Sequence, residues 1–246
     1  MLSEDQKKEI LEKAKHWFRD SVMESHLKNA QKLKSSTEFN INPFTTTYLA
    51  NFLTGNASPE SIAKALVYPR ILGTSITTTF GNAIQHFTND VLGTFKSTTS
   101  GIDVEYIDQD DQRRKYCQIK AGPNTINKDD VETIHQHFQA VKNLARTNNL
   151  KLQLDDMVVG IVYGERSEIS GHYKKLESKH NYVVLVGKEF WTKLTGDNEF
   201  YDDLIAVIDE VAQESDFCEQ LNAIISELAK DQHILELANM ANKEPK

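Results

Sequence analysis

The chain has 246 residues, a formal net charge of −8 and two cysteines, Cys117 and Cys218. This length allows a substantial hydrophobic core without disulfides. Two cysteines so far apart in sequence argue against a disulfide framework or a cysteine zinc site, so we expect two buried, reduced thiols. The N-terminal residues are charged and amphipathic, and no apolar run approaches the roughly 18 residues of a membrane span. Composition therefore predicts a soluble cytoplasmic protein with no membrane partner.

The negative charge is concentrated near the C-terminus. Ten acidic residues and no Lys or Arg lie between Lys193 and Lys230. Because the whole chain has 28 basic and 36 acidic residues, the part outside this segment is slightly basic. The net charge therefore does not exclude a nucleic-acid partner. We expect the acidic helices to face away from any bound DNA.

The first part of the chain has helical periodicity. Its apolar residues recur at helical spacing over four segments: about 4–34, 46–53, 58–68 and 76–91. We expect Pro69 to end the third helix, because proline cannot continue the hydrogen bonds of a helix. Residues 1–95 are thus predicted to be mainly helical.

Residues 101–127 have the pattern of a strand, a polar turn, a second strand and the start of a helix. A two-residue turn centred on Asp110 and Asp111 would place the apolar residues on one face. It would also bring Asp103 opposite Gln118 on the other face, with Lys120 diagonal to Asp103. The pattern therefore predicts that polar side chains converge at the open end of this hairpin.

The rest of the chain is predicted to mix helices and buried strands. Asn127 can cap a helix that lasts to about residue 148. The apolar runs at 157–163 and 182–186 are typical of strands covered on both faces, and a polar loop is expected between them. Helices are expected at about 190–194, 201–213 and 217–240. We predict a single domain of residues 1–246, in which residues 96–190 form the core and 191–246 a helical C-terminal part.

The polar end of the hairpin has the chemistry of a cation site. The Asp103 carboxylate, the Gln118 amide oxygen and the backbone carbonyl of Ile119 are oxygen ligands of the kind that Mg²⁺ prefers. The Lys120 ammonium would stabilise negative charge on an attacked phosphate. A solvated strand face with ordinary charge pairing is the alternative interpretation.

The stretch from TTSGIDVEYID to YCQIKAGPNTINKDD resembles the PD-(D/E)XK nuclease superfamily. In particular, it is similar to type II restriction endonucleases that carry an IKxGPNT segment after the catalytic lysine. By this resemblance Asp103 is the metal-binding aspartate, Gln118 stands in place of the second acidic residue, and Lys120 is the lysine.

The resemblance also implies a fold and an activity. The fold would be α/β, with a restriction-endonuclease-like core in which a mixed central sheet is flanked by helices, and with helical additions at both termini. The activity would be Mg²⁺-dependent, sequence-specific cleavage of double-stranded DNA by phosphodiester hydrolysis.

Gln118 departs from the usual pattern, because an amide brings no negative charge to a metal site. Glu105 is the nearest candidate for a replacement carboxylate by hairpin geometry. Gln85 stands where families of this type often add a Glu from a preceding helix. Glu105, Gln85 or neither therefore completes the site.

Several polar residues are candidates for contacts with DNA. Phosphate groups bind readily at helix N-termini and to basic side chains. The candidates lie after Lys120, near the hairpin turn and in the loop between the buried strands: Asn124, Thr125, Asn127, Arg113, Arg114, Lys174 and Lys175. For each of them, a solvated loop residue is the alternative.

The resemblance further implies a homodimer that acts on palindromic or interrupted palindromic DNA. The long N-terminal helix and the C-terminal helices would form its interface. It implies a bacterial or archaeal cytoplasm and a functional pairing with a DNA methyltransferase.

Three hypotheses stay open: a restriction endonuclease, a superfamily nuclease of transposition or repair, and a DNA-binding module with a decayed site. The sequence has no phosphate-binding loop, dinucleotide fingerprint, nucleophile elbow or HExxH helix, which argues against other enzyme classes.

Overall fold

The computed structural model describes residues 2–213 and 216–243, apart from the side chain of Gln85. The chain forms two compact units, one from residues 1–17 and 83–211 and the other from residues 18–82 and 212–246. Within the described residues, no helix combines the length and apolar character that a membrane crossing requires.

The first ninety residues are helical, as predicted. Their helices are α1 (Glu4–Trp17), α2 (Glu24–Ala30), α3 (Pro43–Thr54), α4 (Pro59–Pro69) and α5 (Ile76–Asp90). The prediction that Pro69 ends a helix is wrong, because the π-helical segment Arg70–Ser75 continues the chain from α4 into α5. Proline cannot donate a helical hydrogen bond, and the wider π-helical turn accommodates this without ending the helix.

A four-stranded mixed sheet lies in the first unit. Its strands are β1 (Val104–Ile107), β2 (Arg114–Lys120), β3 (Met157–Ile161) and β4 (Val183–Val186), in that spatial order. β1 is antiparallel to β2, whereas β2, β3 and β4 are parallel. The predicted α/β class with a mixed central sheet is confirmed.

The predicted hairpin register is correct along the paired strands. Val104 pairs with Cys117, and Tyr106 pairs with Lys115. The connection is longer than the predicted two-residue turn, since the N–H of Asp108 donates to the carbonyl of Arg113 across a four-residue loop (3.0 Å). The centre of the turn, and therefore the register, is unchanged.

The register does not extend to Asp103. Its N–H donates to the carbonyl oxygen of Cys117 (3.0 Å), the residue that pairs with Val104. The predicted position of Asp103 directly opposite Gln118 is therefore wrong. The chain leaves the ladder at this point, which frees the Asp103 carboxylate to approach a backbone group of β2.

Helices follow the hairpin and the remaining strands. They are α6 (Lys128–Thr147), α7 (Gly171–His180), α8 (Lys188–Thr195), α9 (Phe200–Gln213), α10 (Phe217–Leu228) and α11 (Gln232–Ala241). Asn127 caps α6 through a capping box, as predicted.

Two expectations for the second half of the chain are wrong. α7 occupies the predicted loop between β3 and β4, since parallel strands need a crossover. The predicted helix 217–240 is divided into α10 and α11, where Asp231 caps α11.

Side chains cover both faces of the sheet in the first unit. On one face, α6 contributes Ile134 and Phe138 to a buried cluster that includes Val159 of β3. On the other face, Phe190 of α8 lies so close to Gly160 that a Cβ atom there would be 2.3 Å from its ring. The sheet is therefore a buried layer, and a polar side chain on it needs a specific partner.

The second unit is helical and has its own core. Its buried cluster takes apolar residues from seven elements, for example Leu33, Ala50, Ile62, Ile225 and Leu237. The expectation of two buried cysteines is wrong for Cys218, which is exposed in the first turn of α10, whereas Cys117 is buried. Hydrogen bonds at the helix ends agree with the predicted boundaries. Asn42 accepts from two N–H groups at the start of α3, and Gly55 ends that helix with a φ of 78°.

Candidate active site

Three predicted catalytic residues lie at the open end of the hairpin. Asp103 immediately precedes β1, and Gln118 and Lys120 lie at the C-terminal end of β2. Gln118 pairs with Val159, and Lys120 pairs with Ile161. Because these residues alternate along the strand, both side chains project from the face of the sheet that α6 covers.

The Asp103 carboxylate approaches the backbone of β2. Its Oδ2 accepts a hydrogen bond from the N–H of Ile119 (2.6 Å). Desolvation by the surrounding protein raises the pKa of Asp103, while the N–H of Ile119 and the ammonium of Lys120 offset part of this change. The carboxylate is thus held at a defined place beside the strand.

The backbone of Ile119 faces this carboxylate. The carbonyl of Lys120 accepts from the N–H of Val162 on the β3 side (2.9 Å). Along a strand, successive residues direct their N–H and C=O groups to opposite edges, so those of Ile119 point toward Asp103. The Ile119 carbonyl therefore lies on the side of the strand where it was predicted to bind a metal.

The Gln118 side chain is buried, with 5% of its surface exposed. Its Nε2 donates to the carbonyl oxygen of Gly101 and contacts Nδ1 of His137 (2.6 Å). Its Oε1 is buried and has no hydrogen-bond partner among the described residues. A buried acceptor without a partner costs about 1–3 kcal/mol, so such an atom in a folded protein points to a missing ligand or a function.

Lys120 completes the group. Its side chain is half-buried, and its ammonium has no hydrogen bond or ion pair with the part of the chain that the structure describes. A lysine that forms no hydrogen bond or ion pair is available to an anionic ligand.

These donors fit a hard cation. Among the described residues, no group of three or more His, Cys, Asp or Glu side chains could hold a metal. The set found here instead combines a carboxylate, a partnerless amide oxygen and a backbone carbonyl. Oxygen donors of this mixed kind are the ligands that Mg²⁺ accepts, since it binds few carboxylates and retains water.

A comparison with known protein families identifies the family of this chain. The family model described as type II restriction endonuclease EcoO109I matches residues 15–216. The chain belongs to this family. No curated protein matches the sequence. Membership of this family identifies the chain as a nuclease. The matched region contains the whole hairpin and all four strands.

Glu105 and Gln85 are the two candidates to replace the usual acidic residue of the metal site. Glu105 of the endonuclease is already engaged. Its Oε1 accepts from Ser97 (2.5 Å) and Thr99 (2.9 Å), and its Oε2 accepts from Arg114 (3.0 Å). Gln85 belongs to α5, and its side chain lies outside the described residues. Glu105 therefore has a full set of partners of its own, separate from Asp103.

The turn after Lys120 is tied to α7. The hydroxyl of Tyr173 donates to the carbonyl of Gly122 (3.0 Å), and the N–H of Ser170 donates to the carbonyl of Pro123 (2.9 Å). These bonds bring the start of α7 to the GPNT segment. The two segments that carry predicted DNA-binding residues therefore lie close together, although about fifty residues separate them in the chain.

The predicted DNA-binding residues have different local roles. Asn124, Lys174 and Lys175 are exposed. The Thr125 hydroxyl donates to the Gly122 carbonyl (2.8 Å), and the Asn127 side chain caps α6. At the other end of the hairpin, Arg113 pairs with Asp156 and Arg114 with Glu105. The exposed residues are thus the freest to reach a ligand.

Sequence reasoning missed His137 as a residue of the endonuclease's site. His135, two residues earlier on α6, has a different partner, since its Nδ1 contacts the hydroxyl of Tyr182 (2.8 Å). A signal was present in the sequence. His137 is three residues after Ile134 and four before Val141, which belong to the buried stripe of α6.

Proposed function

We propose that this chain cleaves double-stranded DNA at specific sequences in a Mg²⁺-dependent reaction. One observation carries the proposal above the family match. Asp103, Lys120 and the partnerless Gln118 oxygen all lie at the open end of one hairpin. A buried acceptor without a partner, such as this oxygen, is costly unless it binds something.

Each residue has a distinct role in this proposal. Asp103, the Gln118 oxygen and the Ile119 carbonyl would hold Mg²⁺, which supplies a Lewis acid that polarises the scissile phosphate and activates water when it is bound. Lys120 would direct its ammonium at the same phosphate and stabilise the negative charge that develops as the P–O bond breaks. Asp103 must be ionised for this, and the Ile119 N–H favours that form.

Contacts with the DNA backbone would come from the surface next to this site. The exposed Asn124 lies in the turn after Lys120, and the exposed Lys174 and Lys175 lie on α7, which is bound to that turn. Thr125, Asn127, Arg113 and Arg114 are candidates whose present hydrogen bonds would have to be shared or exchanged. Basic side chains at this place would position the duplex without reading its sequence.

We propose a homodimer, and one helix face supports it. Phe44, Tyr48 and Phe52 recur every four residues along α3 and are 86%, 64% and 77% exposed. Together they expose on the order of 450 Å² of aromatic surface. That is more than half of the ~800 Å² that each partner buries in a stable interface. A second copy of the chain would cover this face, in preference to the long N-terminal helix and C-terminal helices considered from the sequence.

The dimer is tested at the α3 face. Phe44→Glu with Phe52→Glu should shift the mass measured by light scattering from dimer to monomer, because two charges would be buried without partners. Thr45→Glu, at an exposed polar position in the first turn of the same helix, is the control. A wild-type protein that is monomeric at all concentrations, or a double variant that stays dimeric, contradicts the α3 interface.

The cellular setting follows from the proposed activity. A site-specific DNA endonuclease damages its own chromosome unless the sites are modified, so we propose a DNA methyltransferase as its functional partner in a bacterial or archaeal cytoplasm. We further propose that residues 1–246 act as one endonuclease domain in which both compact units are required.

Incubation of the purified protein with mapped plasmid DNA, with Mg²⁺ or with EDTA, tests the proposed function. Double-strand cuts at discrete positions that require Mg²⁺ support it. Nicks that depend on DNA structure, or cutting only with a partner protein, would favour a nuclease of transposition or repair. DNA binding without cleavage in any divalent metal would favour a decayed site.

A further inference from the structure

The Gln118 amide lies between two groups that determine its orientation. The carbonyl of Gly101 can only accept a hydrogen bond, so the amide must present its nitrogen there. The second hydrogen of Nε2 then points to Nδ1 of His137 at 2.6 Å. Nδ1 must be the acceptor, which places the proton of the neutral His137 ring on Nε2. Both hydrogens of the amide are thereby used, and its oxygen is left over.

The contact between Gly101 and Gln118 requires a glycine at position 101. Its φ is 78°, a conformation that residues with side chains rarely adopt. A Cβ atom at this position would lie 2.6 Å from Cγ of His137. The backbone therefore reaches Gln118 only because glycine leaves room for the imidazole ring. Two independent features, the glycine conformation and the histidine position, serve the same amide.

We propose that Gly101 and His137 hold the Gln118 amide so that its oxygen faces the metal site, which makes His137 a positioning residue of the endonuclease. This inference rests on the proposed Mg²⁺ site. It explains why an amide replaces the usual acidic residue. The site needs an oxygen for the cation and two N–H donors for Gly101 and His137, and a single amide provides both.

A carboxylate at position 118 would not meet these needs. It has no N–H group, so one of its oxygens would face the carbonyl oxygen of Gly101, acceptor against acceptor. The change Gln118→Glu restores the usual residue of related nucleases and adds a negative charge, yet it should impair this protein. A decayed site predicts the opposite result, since the lost carboxylate would be returned.

The experiment compares Gln118→Glu, His137→Phe and His137→Asn. His137→Phe keeps the ring but removes the acceptor, whereas His137→Asn keeps an acceptor oxygen near the place of Nδ1. Mg²⁺ affinity is measured by calorimetry on the DNA complex of each variant in a Lys120→Ala background, which prevents cleavage. Single-turnover cleavage of mapped plasmid is measured with Lys120 intact. Thermal unfolding and metal-free DNA binding report structural damage.

We expect His137→Phe to lower Mg²⁺ affinity and cleavage by on the order of 10-fold, the usual effect of removing a group that orients a metal ligand. His137→Asn should retain most of both, and metal-free DNA binding should not change. Gln118→Glu should also lower cleavage by on the order of 10-fold. If His137→Phe unfolds the protein, Gln118→Glu decides the question.

Two results would overturn the inference. One is wild-type Mg²⁺ affinity in a folded His137→Phe variant, and the other is a Gln118→Glu variant that cleaves as well as or better than the wild type. Failure of the proposed function has a different appearance, because the wild-type protein itself would then neither bind Mg²⁺ nor cleave. That result contradicts both proposals at once.

Discussion

The two ends of strand β2 each carry a lysine, and the two lysines are in opposite situations. Lys115 is 3% exposed, and its ammonium contacts Asp111 (2.5 Å) and Asp156 (3.3 Å). Asp156 also pairs with Arg113 through two hydrogen bonds and accepts from the N–H of Gln153 (2.7 Å). At the other end, Lys120 has no such partner among the described residues, and the neighbouring Gln118 oxygen is also unpaired.

The difference separates what stabilises the fold from what serves function. Charges at the Lys115 end satisfy one another, so removing one member leaves another buried and uncompensated. At the Lys120 end, the Lys120 ammonium forms no ion pair among the described residues and the Gln118 oxygen accepts no hydrogen bond, which agrees with the proposed ligand. We therefore expect substitutions at one end to change stability, and substitutions at the other end to change cleavage.

The largest expected effect is that of Lys120→Ala. Loss of a cation that stabilises the developing phosphate charge should reduce single-turnover cleavage by on the order of 10³-fold. DNA binding and the melting temperature should stay close to those of the wild type, since Lys120 forms no hydrogen bond or ion pair with the described residues. Lys64→Ala, which removes a surface pair with Glu60, is the control. Full activity of Lys120→Ala would contradict the assignment of this end as the active site.

Asp103→Ala should have the next largest effect. It removes the carboxylate among the proposed metal ligands, so cleavage should fall by on the order of 10²-fold and require more Mg²⁺. The measurement is cleavage rate as a function of Mg²⁺ concentration. Asp110→Ala, which removes an exposed carboxylate from the hairpin turn, should leave that curve unchanged. An identical Mg²⁺ dependence in Asp103→Ala would argue against its role.

Asp156→Ala tests the other end. It leaves the buried Lys115 with only Asp111 and the more distant Asp155 (3.9 Å) as acidic partners, which should lower the free energy of unfolding by about 3 kcal/mol. The melting temperature should fall by roughly 10 °C. Cleavage at low temperature should be retained, because the Lys120 end is untouched. If Asp156→Ala lost cleavage but kept wild-type stability, the separation of a stabilising end from a catalytic end would be wrong.

The pH dependence of stability gives the smallest expected effect. Burial raises the pKa of Asp156, but hydrogen bonds from Arg113, Gln153 and Lys115 outweigh it and hold the pKa below its ordinary value. The carboxylate thus adds stability above its unfolded pKa of about 4, and this contribution is lost as pH falls through the lowered folded value. In urea unfolding from pH 7 to pH 3, the gap between wild type and Asp156→Asn should narrow below about pH 4.

Much of the site was predictable from local pattern. Alternation of apolar and polar residues around Asp110 and Asp111 predicted the hairpin and its register, and Asn127 predicted the start of α6. The error at Asp103 arose where the ladder ends, because alternation carries no information about a chain that leaves the sheet. The error at Pro69 has a similar origin, since a π-helical turn absorbs a residue that usually ends a helix.

The sequence by itself determined the strands of the hairpin, the face that carries Gln118 and Lys120, and the family to which the chain belongs, because these depend on residues close together in the chain. The tertiary structure decided the partners. His137 and Gly101 meet Gln118, Asp156 meets Lys115, and α7 meets the turn after Lys120, across separations of up to about fifty residues. Such contacts depend on how helices pack on the sheet, and that geometry distinguishes Lys115, which has buried acidic partners, from Lys120, which has no ion pair among the described residues.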